Sequence, residues 1–299
     1  MAWGSSTRHA TSASAEALNK RAEQLATAAE QKPALQDWYR HCLLDSRRNQ
    51  AWNEALFFAN RLDVDDDWKL LVQRSQIKQE LGHAAEAKAD MDRAVELADD
   101  PNFLISQIPA KPTVEDWPQI VQLYSRVTGQ AAIPLVHWYH YVLAILKTDD
   151  NASYRLACTQ LIDQLGAMQL DVGSVNLLAW LCAIGPADQE TAEKAAALVE
   201  ATLDATPEDA PSRYALLNTL GAVLYRAEKF DQAKQRLEEA IAANGKPELH
   251  DFLWLALVEK ARGDEETAKM WIDKFDNAKL GDQDPWSTAE LELLRAEFE

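Results

Sequence analysis

Residues 214–247 read YALLNTLGAVLYRAEKFDQAKQRLEEAIAANGKP, and the fold turns on this stretch. Leu217, Leu220, Gly221 and Leu224 fall at i, i+3, i+4 and i+7, so they share one face of a helix. Ala233, Leu237 and Ala240 do the same on a second helix, and Ala227-Glu228-Lys229-Phe230-Asp231 is a short polar break anchored by Phe230. Two antiparallel helices approach closely only where side chains are small, and Gly221 and Ala233 put one small residue on each. Asn244-Gly245 supplies a stop and Pro247 opens the next element. The expected structure is a helical hairpin.

The hairpin recurs. Ala268 lies thirty-five residues after Ala233, with Phe252, Leu255-Ala256, Ile272 and Phe275 repeating the pattern around the turn Arg262-Gly263-Asp264. Ala195 lies thirty-eight before Ala233, with Ala179, Cys182-Ala183, Val199 and Pro207 in register and a longer turn from Gly185 to Asp188. Ala157, thirty-eight earlier again, carries Tyr141, Ala144-Ile145 and Leu161. Ala87, with Leu71, Met91, Ala94 and the turn Leu81-Gly82-His83, and Ala55, with Tyr39, Leu43, Ala59 and Leu62, extend the series toward the start. Ala87 and Ala157 are seventy residues apart, two repeat lengths, so a further copy is expected in 101–133. Pro101, Pro109, Pro112 and Pro118 leave no room there for a long first helix, while 118–129 reads as a good second one. This copy is expected to be degenerate, and either a kink or the boundary between two sub-arrays.

The pattern resembles the tetratricopeptide repeat, in which an apolar residue, Leu-Gly, an aromatic, a small residue, an apolar residue and a proline recur over about 34 residues. Leu217, Leu220-Gly221, Leu224, Ala233, Leu237 and Pro247 fill those roles, with Leu in place of the family's first Trp and the proline about two residues late. The resemblance covers roughly 33–280. Through Tyr154-Arg155-Leu156-Ala157-Cys158 and Leu178-Ala179-Trp180, region 138–275 resembles the C-terminal arrays of bacterial signalling proteins joined to Ser/Thr kinase or WD-repeat domains. The resemblance implies an all-α, right-handed α-solenoid of about six hairpins with N- and C-terminal capping helices. It also implies a concave groove, lined by the first helix of each repeat, as the binding surface. By repeat register the groove residues are Arg40, Arg47, Gln76, Tyr139, Val142, Trp180, Asn218, Tyr225, Arg226, Leu253 and Lys260. The implied function is a non-catalytic scaffold or adaptor for another protein or peptide. The alternative is a regulatory sensor whose groove binds a signalling peptide or small ligand and changes superhelical shape. The Lys/Asn pairs with which chaperone-tail-binding members clamp a carboxylate do not recur here.

Composition supports this reading. Ten glycines and eleven prolines in 299 residues, with few alternating apolar-polar runs, argue for nearly all helix, and a solenoid tolerates this length because each repeat packs only on its neighbours. No continuous apolar stretch reaches about 18 residues, so no membrane insertion is expected. Cys42, Cys158 and Cys182 are an odd number far apart, which fits free buried thiols in a reducing cytoplasm rather than disulfides or a zinc site. The net charge is −18, and residues 1–60 carry seven Lys/Arg against six Asp/Glu, so the acid lies beyond them. That excess opposes nucleic-acid binding and suits a basic partner or simply a solvated outer face.

In chain order, 1–13 is expected to be a disordered lead-in. Segment 14–100 holds a capping helix running from Ser12 or Ser14 to Gln31 and two repeats. Segment 101–133 is the degenerate copy, 134–280 holds four repeats, and 281–299 a closing helix. Asp63 to Asp67, DVDDD, lacks the glycine and distant glutamate of a calcium loop and reads as acid at a helix start. Thr113 and Asp116 form a candidate cap, and Ser287 with Glu290 a candidate capping box for the last helix. His137 and His140 could share a metal, but a third ligand is not visible nearby, so no cofactor is expected and the rings of 137–140 are read as lining between repeats. Phosphate-loop, GxGxxG, HExxH and GxSxG patterns are lacking, which argues against an enzyme.

Overall fold

The computed structural model describes residues 32–299 apart from 65, 129–132, 279, 280, 282 and 283, together with 17 and 20. The lead-in and most of the first expected helix lie outside the described residues. Among the described residues there is helix and no strand, and no helix is long and apolar enough to cross a membrane. The chain divides into two compact units, the first ending at Gln107 and the second starting at Ile108.

The first unit contains α1 (Lys32–Arg48), α2 (Trp52–Ala59), α3 (Trp68–Glu80), α4 (Ala84–Leu97) and α5 (Pro101–Ser106). α1 pairs with α2 and α3 with α4, and α2 joins the hairpins by packing on α3. Tyr39, Leu43, Phe58, Leu71 and Ile77 form its core. Asp67 caps α3, accepting from the backbone N–H of Lys69 and Leu70 at 3.0 and 3.2 Å, so the acidic run serves a helix start. α5 is a single short turn and a half, and its Phe103 ring lies tilted against Trp68 with centroids 4.6 Å apart.

Among the described residues the second unit contains a 3-10 turn (Val114–Asp116) and then ten helices: α6 (Trp117–Thr128), α7 (Leu135–Lys147), α8 (Asn151–Leu165), α9 (Val172–Leu181), α10 (Gln189–Asp204), α11 (Arg213–Arg226), α12 (Phe230–Asn244), α13 (Leu249–Ala261), α14 (Glu265–Asp276) and α15 (Pro285–Glu297). Thr113 and Asp116 form the expected cap, with the Thr113 N–H donating to Asp116 at 2.7 Å. The segment expected to be one degenerate repeat is thus split, since α5 belongs to the first unit and α6 packs on α7 in the second.

The pairs α7/α8, α9/α10, α11/α12 and α13/α14 are hairpins, and the first helices also touch in sequence, α7 on α9, α9 on α11 and α11 on α13. The register alanines 55, 87, 157, 195, 233 and 268 are all at most 5% exposed, as close helix packing requires. Gly221 shows why: a Cβ there would lie 2.6 Å from Leu237 Cγ and 3.1 Å from the Ala233 carbonyl. Turns close with Gly82, Gly245 and Gly263 at φ 79°, 77° and 82°, the left-handed region that costs other residues strain. Each unit is all-α and built of helical hairpins.

Candidate functional site

The last helix does not merely cover the end of the array. α15 packs against α7 and α13, the first and last members of the row α7, α9, α11, α13, and bonds to the two between. Four helices side by side at 8–10 Å would span roughly 24–30 Å in a flat row. One helix reaches all four only if the row bends around it, so the row forms a concave wall with α15 inside. Glu290 and Trp286, near the start of α15, meet His250 and His140, while Glu292, Glu297 and Phe298 meet Lys147, Arg226 and Lys260 at the helix ends. α15 therefore runs parallel to α7 and α13.

Its inward face is apolar with one carboxylate. Trp286, Ala289, Leu291 and Leu294 are buried, and Glu290 among them is 3% exposed. Trp286 stacks on His140 at 4.1 Å and meets Trp117 edge-on at 5.5 Å. A carboxylate at such depth persists only when its oxygens are bonded. Glu290 Oε1 lies 2.8 Å from His250 Nε2, and Oε2 accepts from Trp180 Nε1 at 3.2 Å. Burial, together with the neighbouring Glu290, pushes the Tyr139 hydroxyl far above its usual range.

Further along, Arg226 donates to both oxygens of Glu297 at 2.5 and 2.7 Å and to the Ala183 carbonyl at 2.7 Å. Its guanidinium lies over the Tyr225 and Trp254 rings, and Tyr225 donates to Glu297 at 3.3 Å. Burial and Glu297 push the Tyr225 hydroxyl up to about 12. Lys147 bonds Glu292 at 3.0 Å, and Lys260 donates to the Phe298 carbonyl.

Ser287 and Glu290 do not form the expected capping box. Asp284 is the N-cap, accepting from Trp286 and Ser287 at 3.0 and 3.1 Å, with Pro285 at the first helical position. The Asp-Pro pair starts the helix three residues early, and Glu290 lies on the inward face rather than at the helix start.

The structure brings Tyr139, Trp180, Tyr225, Arg226 and Lys260 together around α15. Val142 and Leu253, also expected in the groove, have no exposed surface with α15 in place. Asn218 is buried, donating to Asp251 at 2.6 Å. Arg40, Arg47 and Gln76 lie in the first unit, where Arg40 pairs with Asp37 at 3.6 Å and Arg47 bonds Gln73 and Gln76 at 3.0 and 2.8 Å. The sequence reading missed Lys147, His250 and every partner supplied by α15.

Beside α15 a cavity of about 220 Å³ stays open, lined by Asn176, Leu177, Trp180, Tyr214, Asn218 and His250. The Asn176 Oδ1 atom is buried without a hydrogen-bond partner. Asp251, below this cavity, is fully buried and bonded to Tyr214, Asn218 and the Glu248 N–H, and burial raises its carboxyl above the usual range. His137 and His140 are 6.3 Å apart between ring centres, and His140 is bonded to Tyr124 at 3.1 Å. Among the described residues no three metal-ligating side chains cluster.

No protein-family model matches the chain, and no curated protein matches it significantly. Among solved structures, a tetratricopeptide repeat protein from Parabacteroides merdae is 10% identical, covers 87% of this chain and 98% of its own length, and superposes with a TM-score of 0.40. PilW, described as a widely conserved type IV pilus biogenesis factor, is 12% identical over 85% of this chain and 98% of its own, with a TM-score of 0.27.

Proposed function

We propose that the second unit is a non-catalytic scaffold module that receives a helical segment of a partner protein in the concave wall of α7, α9, α11 and α13. The observation that carries this reading is α15 itself, an amphipathic helix seated in that wall through buried Trp286, Leu291 and Leu294 and through carboxylates on Arg226, His250 and Lys147. The wall is held by hairpins packed on one another, so a helix binding there loses little protein entropy. The cations around α15 favour an acidic partner at this surface, whereas the net charge alone had favoured a basic one. Asp251 and Glu290 are each bonded to neighbouring side chains rather than presented as a pair to the cavity, which supports binding over catalysis. Buried free thiols fit a cytoplasmic setting.

A second reading, a sensor that changes shape, draws on the cavity touching Trp180 and His250, the two groups that hold Glu290. A small ligand there would loosen α15 and increase the radius of gyration. The test of the scaffold reading adds a labelled peptide of residues 284–299 to a chain cut after residue 278. Saturable binding, lost on Trp180→Ala with Arg226→Met, is expected. A cut chain that keeps its helix content and takes up no peptide contradicts the reading.

A further inference from the structure

Resting on that reading, we infer that α15 is a resident occupant, exchanged in the same groove for an acidic amphipathic helix of a partner with the pattern Trp-x-x-x-Glu-Leu-x-x-Leu-x-x-Glu. In this chain Trp286, Glu290, Leu291, Leu294 and Glu297 occupy those places. In a protein of net charge −18, the wall opposite α15 nevertheless carries the cations Lys147, Arg226 and Lys260, and each of them, like the neighbouring His250 ring, bonds an oxygen of the segment 285–298. Trp180 adds a donor that cannot accept.

This donor set discriminates by what it refuses. A purely apolar helix would leave the Trp180 N–H and the buried Arg226 fork without partners, and a basic helix would add repulsion. Glu290 shows the same selection from the other side. It interrupts the apolar stripe of Trp286, Leu291 and Leu294 at a position where leucine would cover the end of a helical array with less desolvation cost. A carboxylate kept there reads as a recognition element matched to His250 and Trp180.

Exchange needs a foothold, and the open cavity provides it. Trp180 and His250 line the cavity and also hold Glu290, and Asn176 lines it as well. An incoming acidic helix can engage that end of the wall while the Arg226–Glu297 end of α15 is still seated. Occupancy by α15 then lowers the partner's apparent affinity by the fraction of time the groove is open.

The experiment measures anisotropy of two labelled peptides on the full chain: one copying residues 284–299, and one with Glu290→Lys and Glu297→Lys. Each is titrated into the native chain and into a Glu290→Gln, Glu297→Gln chain whose resident helix is weakened. The acidic peptide should bind the weakened chain about tenfold more tightly than the native one, and adding Arg226→Met should reverse most of that gain. Equal affinity for both chains overturns the inference, because α15 then does not compete. Equal binding of the lysine peptide also overturns it and leaves the scaffold reading standing. A weakened chain that dimerises and excludes peptide shows that a second copy is the occupant, which overturns the partner assignment. If neither peptide binds a chain that keeps its helix content, the scaffold reading itself fails. Should the double variant lose helix, Glu292→Gln in the chain alone releases only the rim contact to Lys147 and leaves the wall unaltered, and a gain of about threefold is expected from it.

Discussion

Replacing Arg226 with methionine removes a charge from the end of the groove that holds Glu297 while keeping most of the side chain's apolar stem in place. The guanidinium side chain is 6% exposed and Glu297 opposite it 31%. Three contributions are lost. The Ala183 carbonyl loses a charge-assisted bond, worth about 1 kcal/mol. The fork to Glu297 is worth about 1–2 kcal/mol, less than a fully buried pair, because the freed carboxylate can rehydrate. The positions over Tyr225 and Trp254, 5.2 and 5.3 Å from the ring centres, add about 0.5–1 kcal/mol. Together the loss is about 3 kcal/mol, and most of it falls on the seat of α15. Native-state hydrogen exchange reads this locally: amides of α15 should exchange roughly 100-fold faster, while those of α12 and α14 change little. The reasoning is refuted if α15 amides keep their native rate while α9 and α11 speed up. Arg226 would then act through Ala183, as a brace between those two helices.

Gly221→Ala should lower stability by about 1–2 kcal/mol despite alanine's better helix propensity, because its methyl meets Leu237 and the Ala233 carbonyl; an unchanged urea midpoint would contradict this. His140 is held near 4 by burial and by His137, and the ring faces Tyr124, Trp286 and Asp284. Its folded value lies below the unfolded one, so its contribution is complete above about pH 6.5 and is lost as pH falls toward 4. The full difference corresponds to about 3 kcal/mol, reduced to about 2 by partial exposure of the ring. His140→Gln should flatten that part of the stability profile, and an unaltered profile would sink the assignment. Asp284→Ala removes the cap of α15 and should cost about 1 kcal/mol, read as fraying of its first turn in hydrogen exchange; unchanged protection would show that the cap is dispensable.

Much of the fold is legible because hairpin crossings demand small residues. Gly221 and the register alanines carry that demand in the sequence, and the structure buries each alanine and sets Gly221 against Ala233 and Leu237. The turn glycines were legible for the same kind of reason, a backbone angle that penalises other residues. The seat of α15 was not legible. Amphipathicity says that Trp286, Leu291 and Leu294 need cover but not what covers them. One signal was present: Trp286, Glu290 and Leu294 are spaced four apart, so a carboxylate sits within an apolar stripe. Read physically, that stripe requires donors opposite it, which a hydrophobic end of an array does not offer. Val142 and Leu253 show where repeat register stops: it fixes the helix, but on a helix buried nearly all round it does not separate a residue under α15 from one in the hairpin core.

The claim on which the rest depends is that α15 lies inside the curve of α7, α9, α11 and α13. Zero-length carbodiimide coupling of the unaltered protein, read by peptide mass spectrometry on the monomer fraction, tests it most directly. Lys147 should couple to Glu292, whose oxygen lies 3.0 Å from its amine, as efficiently as Lys194 couples to Asp163 at 3.1 Å within the α8/α10 pair. Coupling of Lys194 to Asp163 without any Lys147–Glu292 product would place α15 elsewhere and contradict the account.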